Sequence, residues 1–394
     1  MLNLTYNYKL KLTRKQIELV EHNLKVCKSV WNHALYVRKL WHNSRSCNIN
    51  QCSIFQEYIV EPFEYPNYHN QSADLTKAKK DNAFLKSGNA QAMQQTLRKL
   101  DRAFNDMKSK GLGFPRYKKE VRSFNLLGKN IVLNGNLLTM PLLKQVKIVN
   151  SRDIPDGFKI KQVQIIKKAS GYYANLMIEL DVSVPIPMPH GHALGIDVGI
   201  QNMLATSDGL VIPRPKFLDK ALRKIKLLQR KLRNKTRGSN KWKKLQHRIA
   251  LLHEAVANRR KEYHFKLAHQ LCDGVGMIFV EDINFISWSR GLFCKQSLDM
   301  GLGQFFSILE YVCWKTDTYF AKVDKNYTSQ ICPSCNANTG KKDLSVRVHS
   351  CPECGYIRDR DVAAAEVVCN RGLTAVGIPV VKQPSNGVLS GAKA

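Results

Sequence analysis

The chain has 394 residues, 44% of them hydrophobic, which is enough for two or three domains with proper cores. Lysine and arginine total 62 against 31 aspartates and glutamates, a net charge of +31. A merely solvated surface mixes both signs, so this excess implies a polyanionic partner, most simply nucleic acid. No apolar run approaches the roughly 20 residues of a membrane span, and the N-terminus lacks a signal-peptide layout, so the expectation is a soluble intracellular protein.

Leu4 to Leu12 alternates as a strand does. Thr13-Arg-Lys-Gln16 is a capping box, after which Ile17, Val20, Leu24, Trp31 and Leu35 recur at helical spacing to about Trp41. Residues 43 to 72 are polar, with prolines at 62 and 66, and read as a loop or insertion. Helical character returns from Ala73 to Met107, where Met93, Leu97, Leu100 and Phe104 form a stripe suited to core packing. The run Gly111-Leu-Gly-Phe-Pro-Arg-Tyr-Lys-Lys119 breaks it. The period then becomes two over Ser123–Leu127, Ile131–Leu133, Leu137–Met140, Gln145–Val149, Lys159–Lys167 and Tyr172–Leu180, with turns at Asn134-Gly135, Asp156-Gly157 and Ser170-Gly171. This predicts an antiparallel sheet or small barrel that the first strand can join, with the helical block inserted. Val182 to Pro189 makes a linker.

Ala193 to Val198 is an apolar run that carries one acid, Asp197, bracketed by Gly195 and Gly199. A carboxylate in a buried strand is costly unless something cationic meets it, and the glycines leave room for a ligand or another backbone. RNase H-like nucleases begin this way, with the acid on a divalent metal; so do actin-like kinases, with the acid facing nucleotide phosphates. A turn aspartate without chemistry is the plain alternative. A second strand follows, ending at Asp208-Gly209. Leu218 to Leu271 reads as two helices broken at Thr236–Asn240, with sixteen Lys or Arg and two Glu between Lys220 and Glu262. That imbalance favours phosphate contact over a solvated hairpin of alternating sign. Met277 to Val280 is another buried strand, ending at Glu281-Asp282. Gly303 to Thr318 reads as a helix, Phe320 to Val323 as a strand, and the chain from Ala375 as a disordered tail.

Cys332-Pro-Ser-Cys335 and Cys351-Pro-Glu-Cys354 are two knuckles whose spacing suits four thiolates around a structural Zn²⁺, a closed site with no catalytic position. His349 could substitute as a ligand, but a basic surface role is the reading preferred here. The other seven cysteines (Cys27, Cys47, Cys52, Cys272, Cys294, Cys313, Cys369) read as reduced core thiols. Asp359-Arg-Asp361 follows the knuckles and could simply cap a helix. If Asp197, Glu281 and Asp361 converge, they make a hard-oxygen site for two Mg²⁺ or Mn²⁺ ions. The actin-like reading offers no use for a zinc ribbon or for so basic a chain.

These motifs, with Leu97-Arg-Lys-Leu-Asp-Arg-Ala-Phe104, Gly113-Phe-Pro-Arg-Tyr117, Gly195-Ile-Asp-Val-Gly199, Val256-Ala-Asn-Arg-Arg260 and Val280-Glu-Asp-Ile-Asn284, resemble the TnpB (OrfB) proteins of bacterial insertion sequences, relatives of type V CRISPR nucleases. The resemblance runs to about Leu373. It implies an α/β plus β-barrel fold. A wedge-type antiparallel β-barrel (1–12 and 110–185) would carry an inserted helical recognition domain (13–109). A RuvC-like, RNase H-like nuclease domain (190–327 and 356–373) would carry the basic hairpin 218–271 and the zinc ribbon 328–355, with a disordered tail at 374–394. It also implies an RNA-guided endonuclease, cytoplasmic and nucleoid-associated, that binds a transposon-encoded guide RNA as a monomer. Such proteins cut double-stranded DNA beside a short motif while base pairing reads the rest. The family's catalytic acids fall on Asp197, Glu281 and Asp361, and its zinc ligands on Cys332, Cys335, Cys351 and Cys354. Nucleic-acid contacts are expected at Arg116, Lys118, Lys119, Lys224, Arg230, Arg233, Lys243, Lys244, Arg259 and Arg260. Spacing alone does not separate Asp359 from Asp361; the family pattern implies Asp361. One departure is Ala363, where members usually have an Asn that could brace the site, which implies weaker activity. A guided DNA-binding protein without cleavage, repressor-like, is the alternative. Cys47 to Gln71 matches poorly.

Overall fold

In a computed structural model the described residues are 2–46, 64–343 and 345–380. They divide between two compact units, Met1–Val184 and Pro185–Ala394. Most of the expected 43–72 insertion, residues 47–63, lies outside the described residues, as do residues 381–394 of the expected tail.

In the first unit, strand β1 (Leu2–Lys11) alternates strictly: Leu2, Leu4, Tyr6, Tyr8 and Leu10 turn inward, their neighbours outward. Helix α1 (Arg14–Ser46) opens on the expected capping box. The Thr13 N–H donates to Gln16 Oε1 at 3.0 Å, and the Gln16 N–H to Thr13 Oγ1 at 3.4 Å. The Gln16 amide also donates to the carbonyls of Leu143 and Gln145, tying the helix start to the sheet.

The single helix expected over 73–107 is three: α2 (Tyr68–Asp81), α3 (Ala83–Lys86) and α4 (Ala90–Lys110). Each opens on an asparagine; Asn67, Asn82 and Asn89 accept from the N–H groups of Asn70, Leu85 and Ala92. Asparagine amides compete with the backbone inside helices and favour caps, so these three interrupt what the apolar stripe alone would continue. Arg38 is wholly buried between these helices. Its guanidinium meets Asp101 at 3.0 Å and Gln71 at 3.0 Å and lies 5.1 Å from the Phe104 ring centroid, so the charge is paired and hydrogen-bonded, as burial demands.

Strands β2 (Ser123–Leu127), β3 (Val132–Asn134), β4 (Leu137–Met140), β5 (Lys144–Val149), β6 (Lys159–Lys168) and β7 (Gly171–Leu180) join β1 in one antiparallel sheet. Its order is β2-β6-β7-β1-β5-β4-β3, so the first strand is central and β2 and β3 are the ends. Helix α1 lays Val20, Leu24 and Cys27 over Phe124, Leu126 and their neighbours. The expected turns hold: Gly135, Gly157 and Gly171 all have positive φ.

The second unit contains β8 (Ala193–Asp197), β9 (Asn202–Thr206), β10 (Val211–Pro213), α5 (Asp219–Arg233), α6 (Asn240–Cys272), β11 (Met277–Glu281), α7 (Phe285–Trp288), α8 (Cys294–Met300), α9 (Leu302–Lys315), β12 (Tyr319–Val323), β13 (Val348–Ser350), β14 (Ile357–Asp359) and α10 (Arg360–Ala375). Its main sheet has the order β10-β9-β8-β11-β12. The pairs on the β10 side are antiparallel; β8, β11 and β12 are parallel. Parallel neighbours need crossover connections, and the helices α5–α6 and α7–α9 supply them. The sheet is covered on both faces, which is why all of β11 is buried. One face packs on Leu267, Leu271, Phe305 and Leu309; the other brings Val368 of α10 against Met277 and Phe279.

The expected basic hairpin is two structures in one. Ala221, Ile225, Ile249 and Val256 hold α5 against the first part of α6. From His264 onward α6 leaves the hairpin and joins the core, where Cys272 lies beside Cys313 with sulfurs 3.6 Å apart and both thiols free. Cys27 and Cys369 are likewise buried and free and Cys294 is half-buried, while Cys47 and Cys52 lie outside the described residues. Among the described residues no helix is long and apolar enough to cross a membrane.

Candidate metal sites and acidic cleft

Two knuckles of one design hold the four ribbon thiols. Asn336 follows Cys335 and Gly355 follows Cys354; both take positive φ, +63° and +73°. Asparagine and glycine adopt that conformation at least cost. Their N–H groups donate to the carbonyls of Cys332 and Cys351. The four Sγ atoms lie within 4.8 Å of one another, with Cys332–Cys354 and Cys335–Cys351 at 3.6 Å. Thiolates around a tetrahedral Zn²⁺ at ~2.3 Å stand roughly 3.8 Å apart, so the set fits zinc and leaves no open position. Burial pushes the Cys332 thiol up to about 12. Cys351 also resists desolvation, but the N–H groups of Cys354 and Glu353 help bring it down to about 7.

His349 is not the basic surface residue the sequence suggested. It is 1% exposed, faces the Tyr356 ring and meets Lys342 Nζ at 2.6 Å through Nδ1. Burial, then Lys342, lowers its pKa to about 4, so the ring is neutral.

The acids come from three separate elements. Asp197 ends β8 and Glu281 ends β11, and the register of these parallel strands pairs Ile196 with Val280, so the two carboxylates leave the sheet side by side. Asp361 sits in the first turn of α10. All three line one cleft of about 390 Å³. Two glycines let α10 come down on the sheet. A Cβ at Gly195 would stand 2.1 Å from the Ala365 carbonyl oxygen, and one at Gly372 would stand 2.0 Å from the Phe279 ring. The room beside Asp197 is therefore taken by another backbone, one of the two possibilities the sequence left open.

The electrostatics are those of crowded acids in a buried cleft. Burial, then Glu281, then Asp361 hold the Asp197 carboxyl well above the usual carboxylate range. Burial also raises Glu281, against the lowering effects of the Thr328 hydroxyl, Arg371 and Lys325. Acidic neighbours that raise a buried carboxyl in a cleft mark a place where a cation is favoured. Lys325, Arg347, Arg360 and Trp288 also line the cleft.

Asp359 and Asp361 part company here. Asp359 is the helix cap: its Oδ1 accepts from the N–H groups of Asp361 and Val362 at 2.9 and 3.2 Å. Asp361 lines the cleft, and its Oδ2 accepts from Asn202 Nδ2 at 2.8 Å. Ala363 packs on Cys332, Cys351 and Tyr356 of the ribbon. Two helical residues are about 200° of rotation, so position 363 faces away from Asp361; Ala364 lines the cleft instead. Two residues that donate to the acids escaped the sequence reading. Asn202 follows a tight turn, and Thr328, which donates to Glu281 Oε1 at 2.6 Å, precedes the ribbon. Neither carries a sequence signal, because each partner lies far along the chain.

The expected nucleic-acid contacts are not alike. Arg116, Lys119, Lys224, Arg230, Arg233, Lys243, Lys244 and Arg259 are exposed. Lys118 is half-buried with Nζ 3.2 Å from the Trp31 ring centroid, and burial lowers its pKa to about 8. Arg260 donates to the carbonyls of Leu298 and Asp299, where a cation complements the C-terminal end of α8. These two cations serve the fold first.

The mixed sheet with its Cys₄ ribbon, in a chain that also carries an antiparallel-sheet unit, is similar in fold to solved Cas12f1. The solved Cas12f1–sgRNA–target DNA complex matches with a TM-score of 0.55 at 15% identity, covering 91% of this chain and 84% of that one. A family model described as "Probable transposase" (OrfB_IS605) matches residues 176–288, and a Cas12f1-like TNB domain model matches 303–368. A helix-turn-helix model matches 1–47, a span that here is essentially one strand and one long helix. A Streptomyces pristinaespiralis protein, named as a candidate RNA-guided DNA endonuclease, is 30% identical over 318 residues, 78% of each chain. InsQ of Escherichia coli K12, named in the same way, is 26% identical over 309 residues, 73% of this chain and 76% of that one. The chain belongs to the OrfB (TnpB) family of insertion-sequence proteins.

Proposed function

We propose that this protein is an RNA-guided DNA endonuclease that hydrolyses phosphodiesters at the cleft of Asp197, Glu281 and Asp361. The observation that carries this reading is the convergence of those three acids on one cleft, with burial and the other two acids raising Asp197 and cationic side chains around them. The order β10-β9-β8-β11-β12 supports reading residues 190–327 and 356–373 as a RuvC-like domain. The antiparallel sheet with its helical insert supports a wedge-type barrel (1–12 and 110–185) and a recognition domain (13–109). The relatives' names support guide RNA and target DNA as partners, and the zinc ribbon is taken as structural.

A pair of Mg²⁺ or Mn²⁺ ions bound there would supply the Lewis acidity for in-line attack of water on the phosphodiester. Asp197 and Glu281, adjacent on parallel strands, would offer hard oxygens from the floor of the cleft, and Asp361 from its wall. Lys325, Arg347 and Arg360 would draw in the strand and offset its phosphate charge. The exposed cations of the hairpin and of residues 116–119 would hold backbone phosphates away from the chemistry. The repressor-like alternative drew its support from Ala363; with that position packed on the ribbon, no observation favours it.

The test is cleavage of a guide-matched plasmid in Mg²⁺. Asp197→Ala should lower the rate at least 1,000-fold, an order-of-magnitude expectation for removing a ligand of the reacting centre, while guide RNA binding is retained. Cleavage by the variant at the wild-type rate would defeat the proposal.

A further inference from the structure

We infer that Asn202 and Thr328 are positioning residues for the acidic cleft, a pair of neutral donors that fix how Asp361 and Glu281 present their carboxylates to divalent ions. The inference rests on the metal-dependent reading above. Asn202 Nδ2 donates to Asp361 Oδ2 at 2.8 Å, and Thr328 Oγ1 donates to Glu281 Oε1 at 2.6 Å. Each donor thus takes one oxygen of one acid. A carboxylate pinned at one oxygen has its plane set, and the other oxygen is directed rather than free to rotate.

The chemistry of the donors matters. Three acids lining one cleft could be relieved by lysine or arginine bonded to the same oxygens, but such a cation would occupy the place of the metal. An amide and a hydroxyl stabilise the anion without adding charge, so the demand for a divalent ion persists. Thr328 is 7% exposed, and its donation to Glu281 lies within a buried contact that water does not readily replace. Asn202 opens β9, just past the turn that follows Asp197, so the segment carrying the first acid also braces the third. The segment carrying Thr328 leads into the first ribbon knuckle: Thr339 N–H donates to the Gln330 carbonyl, and Cys332 N–H to that of Ala337.

The experiment is Mn²⁺ titration of the zinc-loaded full chain, without RNA, by calorimetry. Wild type should bind, and Asp197→Ala should lose the site. Asn202→Ala and Thr328→Val should each weaken Mn²⁺ roughly 10- to 100-fold, the usual consequence of removing such a partner, while Thr328→Ser stays within about threefold. Cleavage by the weakened variants should recover at saturating Mn²⁺, a split that a loosened fold would not give. Wild-type affinity in both Asn202→Ala and Thr328→Val, with Asp197→Ala inactive in binding, overturns the inference and leaves the metal reading standing. Equal Mn²⁺ binding by wild type and Asp197→Ala sinks the metal reading itself. Should Asn202→Ala melt early, Thr328→Ser against Thr328→Val decides, since Ser keeps the hydroxyl while Val keeps the residue's shape without it.

Discussion

The zinc ribbon and the acidic cleft solve the same problem by opposite routes. Both gather groups that repel one another when ionised. The ribbon does so within Cys332 to Cys354, using two turns whose geometry is set by Asn336 and Gly355. The cleft draws its acids from positions about eighty residues apart and needs a sheet, a crossover and a helix to bring them together. The ribbon's order should therefore depend on its metal, and the cleft's on the packing of α10 against β8 and β11.

The largest expected effect breaks the ribbon side. Cys332→Ser, or stripping zinc with a strong chelator, should unfold residues 328–358, because structural zinc supplies on the order of 10 kcal/mol of local folding free energy. Hydrogen exchange should show protection lost there first, with the antiparallel sheet of the first unit unaffected. Uniform protection after metal removal would refute the assignment.

Next comes the cleft's packing. Gly195→Ala should destabilise the second unit by about 3 kcal/mol, the upper range for forcing a methyl into a filled contact, because its Cβ would meet the Ala365 carbonyl. Denaturant melts monitored by the second unit's tryptophans would measure it. A neutral result would mean α10 does not sit as closely as described.

The cleft's own charge is a smaller term with a definite sign. A folded-state pKa raised for Asp197 means the folded chain holds that proton more tightly than the unfolded one. In chelator, the associated stability is present below the ordinary carboxylate range and is lost as pH rises through the raised value. Asp197→Asn should flatten that loss and raise the Tm at neutral pH by ~2–4 °C, about 1 kcal/mol for a unit of this size. A lower Tm for the variant in chelator would contradict the electrostatic account.

The smallest effect sharpens the division between the exposed cations of α5 and the engaged Arg260 of α6. Replacing Lys224, Arg230 and Arg233 by alanine should weaken nucleic-acid binding and reduce the slope of log affinity against log salt by about 2 to 3. Arg260→Ala should instead lower stability, since that guanidinium is engaged by Leu298 and Asp299. Matching salt slopes for the triple variant and wild type would remove the hairpin from the binding surface.

How much of this was legible beforehand follows the same division. The capping box at Thr13–Gln16, the alternation of Leu2 to Leu10, the glycine turns of the first sheet and both cysteine knuckles are local patterns, and local geometry enforces them. The helix over 73–107 was misread as continuous because its stripe hid three asparagine caps, which act over only three residues each. His349 was misread because an imidazole's burial depends on what packs over it, here Tyr356 and Lys342.

By itself the sequence determined most of the strand pattern, which thiols can share a metal, and the large excess of positive charge, since charge and periodicity are properties of the covalent chain. Only the tertiary structure decided that Asp359 caps while Asp361 faces the cleft, that Ala363 belongs to the ribbon, and that Asn202 and Thr328 reach the acids. Those outcomes turn on the direction of a side chain about a helix axis and on contacts between segments far apart in the chain. Neither is fixed until α10 has settled onto Gly195 and Phe279 beneath it.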